Sequence, residues 1–160
     1  MPKLASVPLP TVSSEDEIEH FTLADLFPTG HVFALHHGLR TLTHLRVEPD
    51  TPLPKMLAQA QFTERELDLI QPLCQHYPQF VPYEVMWACF DRGFANLNER
   101  TLAKARQHLE DARAGEGLWD AEMRPVRNVL TRSRPRLREV GLEVVSMLAT
   151  GYMLTKHSKW

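Results

Sequence analysis

Four stretches of the chain place apolar residues at helical spacing, and short β-type runs lie towards either end. Leu67, Leu69, Ile70 and Leu73 follow the capping box Thr63-Glu-Arg-Glu66, which predicts a helix over 64–76. Pro82-Tyr-Glu-Val-Met-Trp-Ala-Cys-Phe90 reads as a second helix with proline at its first position. The stretch from Asn98 to Arg113 is amphipathic and ends at Ala114-Gly-Glu-Gly117, a third helix. A fourth is predicted from Pro125 to Val140, stopped by Gly141. The runs His31–Gly38 and Leu42–Val47 predict a hairpin or part of a small antiparallel sheet over about 30–60, interrupted by Pro49, Pro52 and Pro54. Leu142–Leu148 and Tyr152–Thr155, joined by Ala149-Thr-Gly151, predict a C-terminal hairpin. The opening segment, with Pro2, Pro8, Pro10 and a Ser-Ser-Glu-Asp run, offers little to bury and reads as a flexible arm over 1–18.

The expected architecture is therefore α+β, a single domain over 19–160. Its length of 160 residues agrees with that. No apolar run reaches the roughly 18 residues of a membrane span. No basic-then-apolar leader opens the chain, so a cytoplasmic protein without membrane contact is expected. Cys74 and Cys89 lack CxxC spacing and sit on apolar helix faces, which suits small core fillers. A net charge of -2, from 18 basic and 20 acidic residues, excludes a uniformly basic nucleic-acid coat.

Charge distribution changes that picture. Six of the 18 basic residues are arginines between positions 124 and 138, a segment with no acid, so the remainder carries 12 basic against 20 acidic side chains. At about 100° per residue, Val126, Val129, Leu130, Ser133, Leu137 and Val140 share one arc, a core stripe. The opposite arc centres on Arg124, Asn128, Thr131 and Pro135, flanked by Arg127, Arg134 and Arg138 on one side and by Arg132 and Arg136 on the other. Central polar side chains bordered by guanidinium groups suit a DNA major groove, with base edges read at the centre and phosphates held at the margins. A solvated arginine-rich face is the alternative reading of the same pattern.

The order of these motifs resembles the OmpR/PhoB-type winged-helix DNA-binding domain. Val126-Arg-Asn-Val-Leu-Thr-Arg-Ser-Arg-Pro-Arg-Leu137, Gly141-Leu and Val145-Ser-Met-Leu-Ala-Thr-Gly-Tyr-Met-Leu154 are similar to that family's recognition helix and terminal hairpin. Phe62-Thr-Glu-Arg-Glu66 and Val81-Pro-Tyr-Glu-Val-Met-Trp87 resemble the starts of its first and second helices. The resemblance implies a winged helix-turn-helix with a small N-terminal antiparallel sheet, a three-helix core and a hairpin wing. It implies base-facing roles for Asn128, Thr131 and Arg132, phosphate contact by Arg134, core positions for Leu130 and Leu137, a wing tip at Thr150, and a wing turn at Gly151 with Tyr152 packing back. The charge pattern adds Arg124, Arg127, Arg136 and Arg138 to the phosphate set.

Four departures matter. Arg127 stands where the family usually has an acid, and Leu148 where a wing arginine is common. Pro135 lies inside the helix, where it costs about 3 kcal/mol unless the helix bends. The interval from Arg92 to Met123 is far longer than the family's short loop, and holds an extra helix within an insertion over about 95–119. That insertion could contact RNA polymerase, dimerise or stabilise. Too few residues precede the first helix for the family's receiver domain, so phosphorelay control is not expected.

Enzyme chemistry finds less support. Eight histidines include the adjacent pair His36-His37, whose rings point to opposite faces of a strand. His31 and His37 alternate onto one face without a carboxylate or cysteine at ligand spacing, so no metal and no cofactor are expected. The capping box accounts for Glu66. Tyr83, Trp87, Phe90 and Trp119 suit core packing better than a ligand pocket, and Lys159 and Trp160 read as a mobile end. The expected function is sequence-specific transcriptional regulation by double-stranded DNA binding through the 125–140 helix and the 142–155 wing, with a homodimer implied by the family. The competing reading is a winged-helix protein-interaction module that docks RNA polymerase or another regulator, favoured by the acidic body and by Leu148.

Overall fold

A computed structural model describes residues 17–160. Alternation builds the first sheet. Phe33 and Leu35 on β2 (His31–His36) and Leu42 and His44 on β3 (Thr41–Arg46) point to one side and are fully buried. Flanking strands β1 (Ile18–Phe21) and β4 (Lys55–Gln61) complete a four-stranded antiparallel sheet in chain order. Strand β1 corrects the expected 1–18 arm. Ile18 pairs with His36, and the Glu17 carbonyl accepts from the His37 amide. The rest of that expected arm, residues 1–16, lies outside the described residues. Ile-Glu-His-Phe has too few apolar positions to announce a strand. Backbone pairing with β2 makes it one.

Helix α1 (Glu64–His76) has the expected bounds and both halves of its capping box. The Thr63 hydroxyl accepts from the Glu66 amide at 3.2 Å, and the Thr63 amide donates to the Glu66 carboxylate at 2.8 Å. Pro82 stands just before α2 (Tyr83–Arg92) rather than within it, because Val81–Pro82 forms a short strand, β5. A 3-10 turn, Phe94–Asn96, leads to α3 (Glu99–Ala114), whose N-terminus is closed by a reciprocal Asn98–Thr101 pair.

The largest correction concerns α4 (Leu118–Glu139), which starts about two turns before the expected Pro125. Proline read as a start signal is here an interior residue on the exposed side. The true start is Gly117, held in a left-handed conformation (φ +77°). The helix continues through Pro135 as well. The expected 95–119 insertion therefore ends where α4 has already begun.

Gly141 (φ +94°) follows α4 as expected and starts the turn into β6 (Leu142–Met147), which pairs with β7 (Gly151–Lys156). Strand β5 adds to the far side of β7, giving the order β5-β7-β6. Gly151 is there for a reason other than the expected tight turn: a Cβ on it would lie 1.9 Å from the Val81 carbonyl oxygen. The left-handed residue of the turn is Ala149 (φ +59°).

A continuous core joins the sheet residues Phe33, Leu35 and Leu42 to Leu69, Ile70 and Leu73 of α1, Met86 of α2, and Met123, Leu130 and Leu137 of α4. Helix α3 belongs to this body, since Leu102, Ala105 and Leu109 are buried in it. Among the described residues, no helix is long and apolar enough to cross a membrane.

Candidate nucleic-acid interface

The sequence sorts α4 correctly into two sides. Val126, Val129, Leu130, Ser133 and Leu137 are buried, while Arg124, Asn128, Thr131, Arg132 and Pro135 are exposed. Neither the extra helix nor the hairpin covers that polar arc. Helix α3 docks elsewhere: its His108 ring stacks on Trp87 (4.5 Å between centroids), and its Nε2 meets Glu122 at 2.9 Å.

The guanidinium groups are less free than the sequence implies. Arg124 and Arg127 both hold Asp120, at 3.0 and 2.6 Å. Arg134 donates to Glu143 at 2.9 Å and to the Val144 carbonyl at 2.7 Å, and Arg138 donates to the other oxygen of Glu143 at 2.8 Å. Arg136 pairs with Glu66 and lies over the Phe62 ring. Of the six arginines, Arg132 alone has no ion pair among the described residues. Five of the six cations read as a phosphate row are thus paired within the chain. Acids outside the helix, on α1 and β6, supply three of those pairs.

Two carboxylates fix the helix. Glu66, almost fully buried, accepts from Ser133 at 3.3 Å as well as from Arg136 and the Thr63 amide. Burial pushes its carboxyl up, but the Thr63 amide and the Arg136 guanidinium outweigh this and hold it below the ordinary glutamate range. Glu143 is likewise held low: burial opposes, and hydrogen bonds and charge from Arg138 and Arg134 prevail. The C-terminus of α4 is tied to the first sheet through His44. Its ring nitrogens lie 2.9 Å from the Val140 carbonyl and 2.8 Å from His31, and it stacks on Phe33 and Trp160. Burial lowers the His44 pKa to about 4, so its ring is neutral near pH 7. Trp160, expected to be mobile, packs on His44 and donates to the Arg138 carbonyl at 3.2 Å.

Leu148, Ala149 and Thr150 form the turn at the hairpin tip, between β6 and β7. Leu148 is 94% exposed, whereas Thr150 is half-buried and its hydroxyl donates back to the Leu148 carbonyl. Tyr152 does pack back on the body, buried and edge-on to Tyr83. An open cleft of about 460 Å³ lies beside the tip, lined by Tyr83, Arg113, Trp119, Leu148 and Ala149.

Among the described residues, no three His, Cys, Asp or Glu side chains converge as metal ligands. His31 faces His44 instead of His37, which pairs with Glu19 at 2.7 Å. Both cysteines are buried, and burial pushes their thiols up, that of Cys74 to about 12. Asp120, Glu143 and His44 were missed as partners of α4. Asp120 had a readable signal, since it lies four residues before Arg124, but only once the helix start is placed at Leu118. Glu143 and His44 had none, because their contacts depend on tertiary placement. No family model, curated protein or solved structure matches this chain.

Proposed function

We propose that the chain is a winged-helix protein that binds double-stranded DNA, inserting α4 in the major groove with the β6–β7 hairpin as its wing. The observation that carries this reading is the uncovered polar arc of α4, with Asn128, Thr131 and Arg132 exposed on a helix anchored along its other side. A rigid mount of this kind suits base reading, which needs side chains held in register with the groove. The order of a small N-terminal sheet, helices and a C-terminal hairpin is what the OmpR/PhoB resemblance implies for such a domain. Asn128, Thr131 and Arg132 are assigned to base edges. Arg124 and Arg127, on the exposed margins, are assigned to phosphates. Arg134 and Arg138, held by Glu143, and Arg136, held by Glu66, orient the helix first and reach phosphate only by leaving those partners.

The test is binding of the intact protein to a mixed-sequence duplex pool at two salt concentrations, beside an Arg132→Ala variant. The reading expects affinity to fall steeply with salt and Arg132→Ala to weaken binding to the best-bound sequences of the pool by about 1–3 kcal/mol. Weak, salt-insensitive binding that ignores the substitution would overturn it.

One observation favours a second reading, a protein-docking module. Leu148, 94% exposed at the hairpin tip, borders the aromatic cleft of Tyr83 and Trp119. RNA polymerase is the partner class this reading names, though α3 of the 92–123 insertion commits its apolar side to the core. Retained binding to RNA polymerase, lost on Leu148→Asp and indifferent to Arg132→Ala, is the outcome this second reading expects.

A further inference from the structure

The six arginines fall into two physical classes. Arg134, Arg136 and Arg138 pair with carboxylates that are largely buried: the Glu66 side chain is 4% exposed and that of Glu143 is 17% exposed. Breaking those pairs would strand a buried charge, which is costly. Arg124 and Arg127 differ. Their shared partner Asp120 is 57% exposed, and they are 63% and 41% exposed themselves. An exposed pair of this kind contributes little to stability and exchanges readily for another anion.

The geometry is that of an anion site with an occupant. One oxygen of Asp120 takes Arg124 at 3.0 Å and the other takes Arg127 at 2.6 Å, so two guanidinium groups converge on a single carboxylate from the same helix. Arg127 lies also 3.4 Å from the Asp120 carbonyl oxygen. At about 100° per residue, Asp120, Arg124, Arg127 and Thr131 share one flank of the exposed arc that carries Asn128. The converging side chains therefore border the face assigned to DNA. A phosphodiester presents the same pair of terminal oxygens as the carboxylate and can be held by two guanidinium groups in its place.

We propose that Arg124 and Arg127 form a phosphodiester-binding site that Asp120 occupies in the free protein, so that Asp120 competes with the DNA backbone and restrains affinity. The inference rests on the DNA-binding reading and adds to it an internal competitor. Asp120 sets the strength of non-specific backbone binding, while Asn128, Thr131 and Arg132 set base preference. Replacing the carboxylate frees two cations and removes a negative charge facing the incoming strand.

The experiment measures fluorescence-anisotropy binding of a labelled mixed-sequence duplex by the full chain at several salt concentrations. The proteins are the native sequence, Asp120→Asn, Asp120→Glu, Arg132→Ala, and Asp120→Asn combined with Arg124→Ala and Arg127→Ala. The expected result is about tenfold tighter binding by Asp120→Asn, with a log–log salt slope steeper by roughly one to two phosphate contacts. Asp120→Glu keeps near-native affinity, and the triple variant loses the gain. Asp120→Asn binding that is unchanged or weaker, while native binding remains salt-dependent, overturns the competitor and leaves the DNA reading standing. Absence of salt-dependent binding by both the native protein and Asp120→Asn overturns both. Binding seen only after Asp120→Asn supports the competitor in its strongest form. Circular dichroism confirms that each variant is folded.

Discussion

Removing the carboxylate of Glu66 should loosen α4 from α1 and destabilise the whole fold. Glu66→Ala loses the reciprocal half of the capping box, the 2.8 Å bond from the Thr63 amide, while the Thr63 hydroxyl keeps its bond to the residue 66 amide. A hydrogen bond to a charged group contributes about 1.5–3 kcal/mol, and the low end applies at a helix start. The substitution also leaves Arg136 without its anion. A fully buried pair broken this way costs about 3–5 kcal/mol. The Arg136 side chain is 39% exposed and can turn to water, so roughly 1 kcal/mol is the appropriate figure. The Ser133 hydroxyl retains the Val129 carbonyl at 2.8 Å and adds little to the loss. The expected total is about 2–3 kcal/mol, read as a lowered urea midpoint at constant slope. Glu66→Gln, which keeps an oxygen for the cap and loses only the charge, should cost about half as much. A double-mutant cycle with Arg136→Met should give a coupling near 1 kcal/mol. Glu66→Ala within 0.5 kcal/mol of the native protein, or no coupling to Arg136, would refute the claim that this carboxylate mounts the helix.

Acid should weaken the attachment of α4 to the first sheet through His44. Its pKa is about 4 in the folded chain against an ordinary 6.5, so the unfolded chain binds more protons between these values and stability falls as pH drops across that window. The loss approaches about 3 kcal/mol near pH 4, and His31 and His76, also lowered by burial, act in the same direction. Urea titrations from pH 7 to 4.5 should show a shallower pH dependence for His44→Phe than for the native protein; parallel curves would contradict the assignment. Gly151→Ala should cost at least about 2 kcal/mol, because its methyl would meet the Val81 carbonyl oxygen at 1.9 Å and force β5 off β7. A urea midpoint close to native would show that the close approach is unimportant.

Most of the architecture was legible in local patterns, and the failures have identifiable physical causes. The first helix could be bounded to the residue because its capping box is a local hydrogen-bond device and His76 precedes a proline-bracketed turn. The core and exposed arcs of α4 followed from periodicity, since burial of an amphipathic helix is a property of one segment. The start of α4 was misplaced because Pro125 mimics a helix N-terminus. It lies on the exposed side of the helix interior, where the Ala121 carbonyl it leaves without an amide donor is open to water. Strand β1 was invisible for another reason: it is held by hydrogen bonds to β2, and only its partner's sequence looks like a strand. The candidate interface was half legible. Sequence identified the arginines and the polar arc, but not that Glu66, Glu143 and Asp120 neutralise five of them. Two of those acids lie on other elements, and no pattern within α4 could announce them.

Isotope-edited NMR of the ¹⁵N-labelled full chain, titrated with a short mixed-sequence duplex, tests most directly whether a duplex seats on α4. The account predicts amide shifts and broadening centred on Asn128, Thr131 and Arg132, extending to Arg124 and to Leu148–Thr150 and sparing β1–β4. Perturbations confined to α3 or to the four-stranded sheet, with Asn128, Thr131 and Arg132 unmoved at saturation, would contradict it.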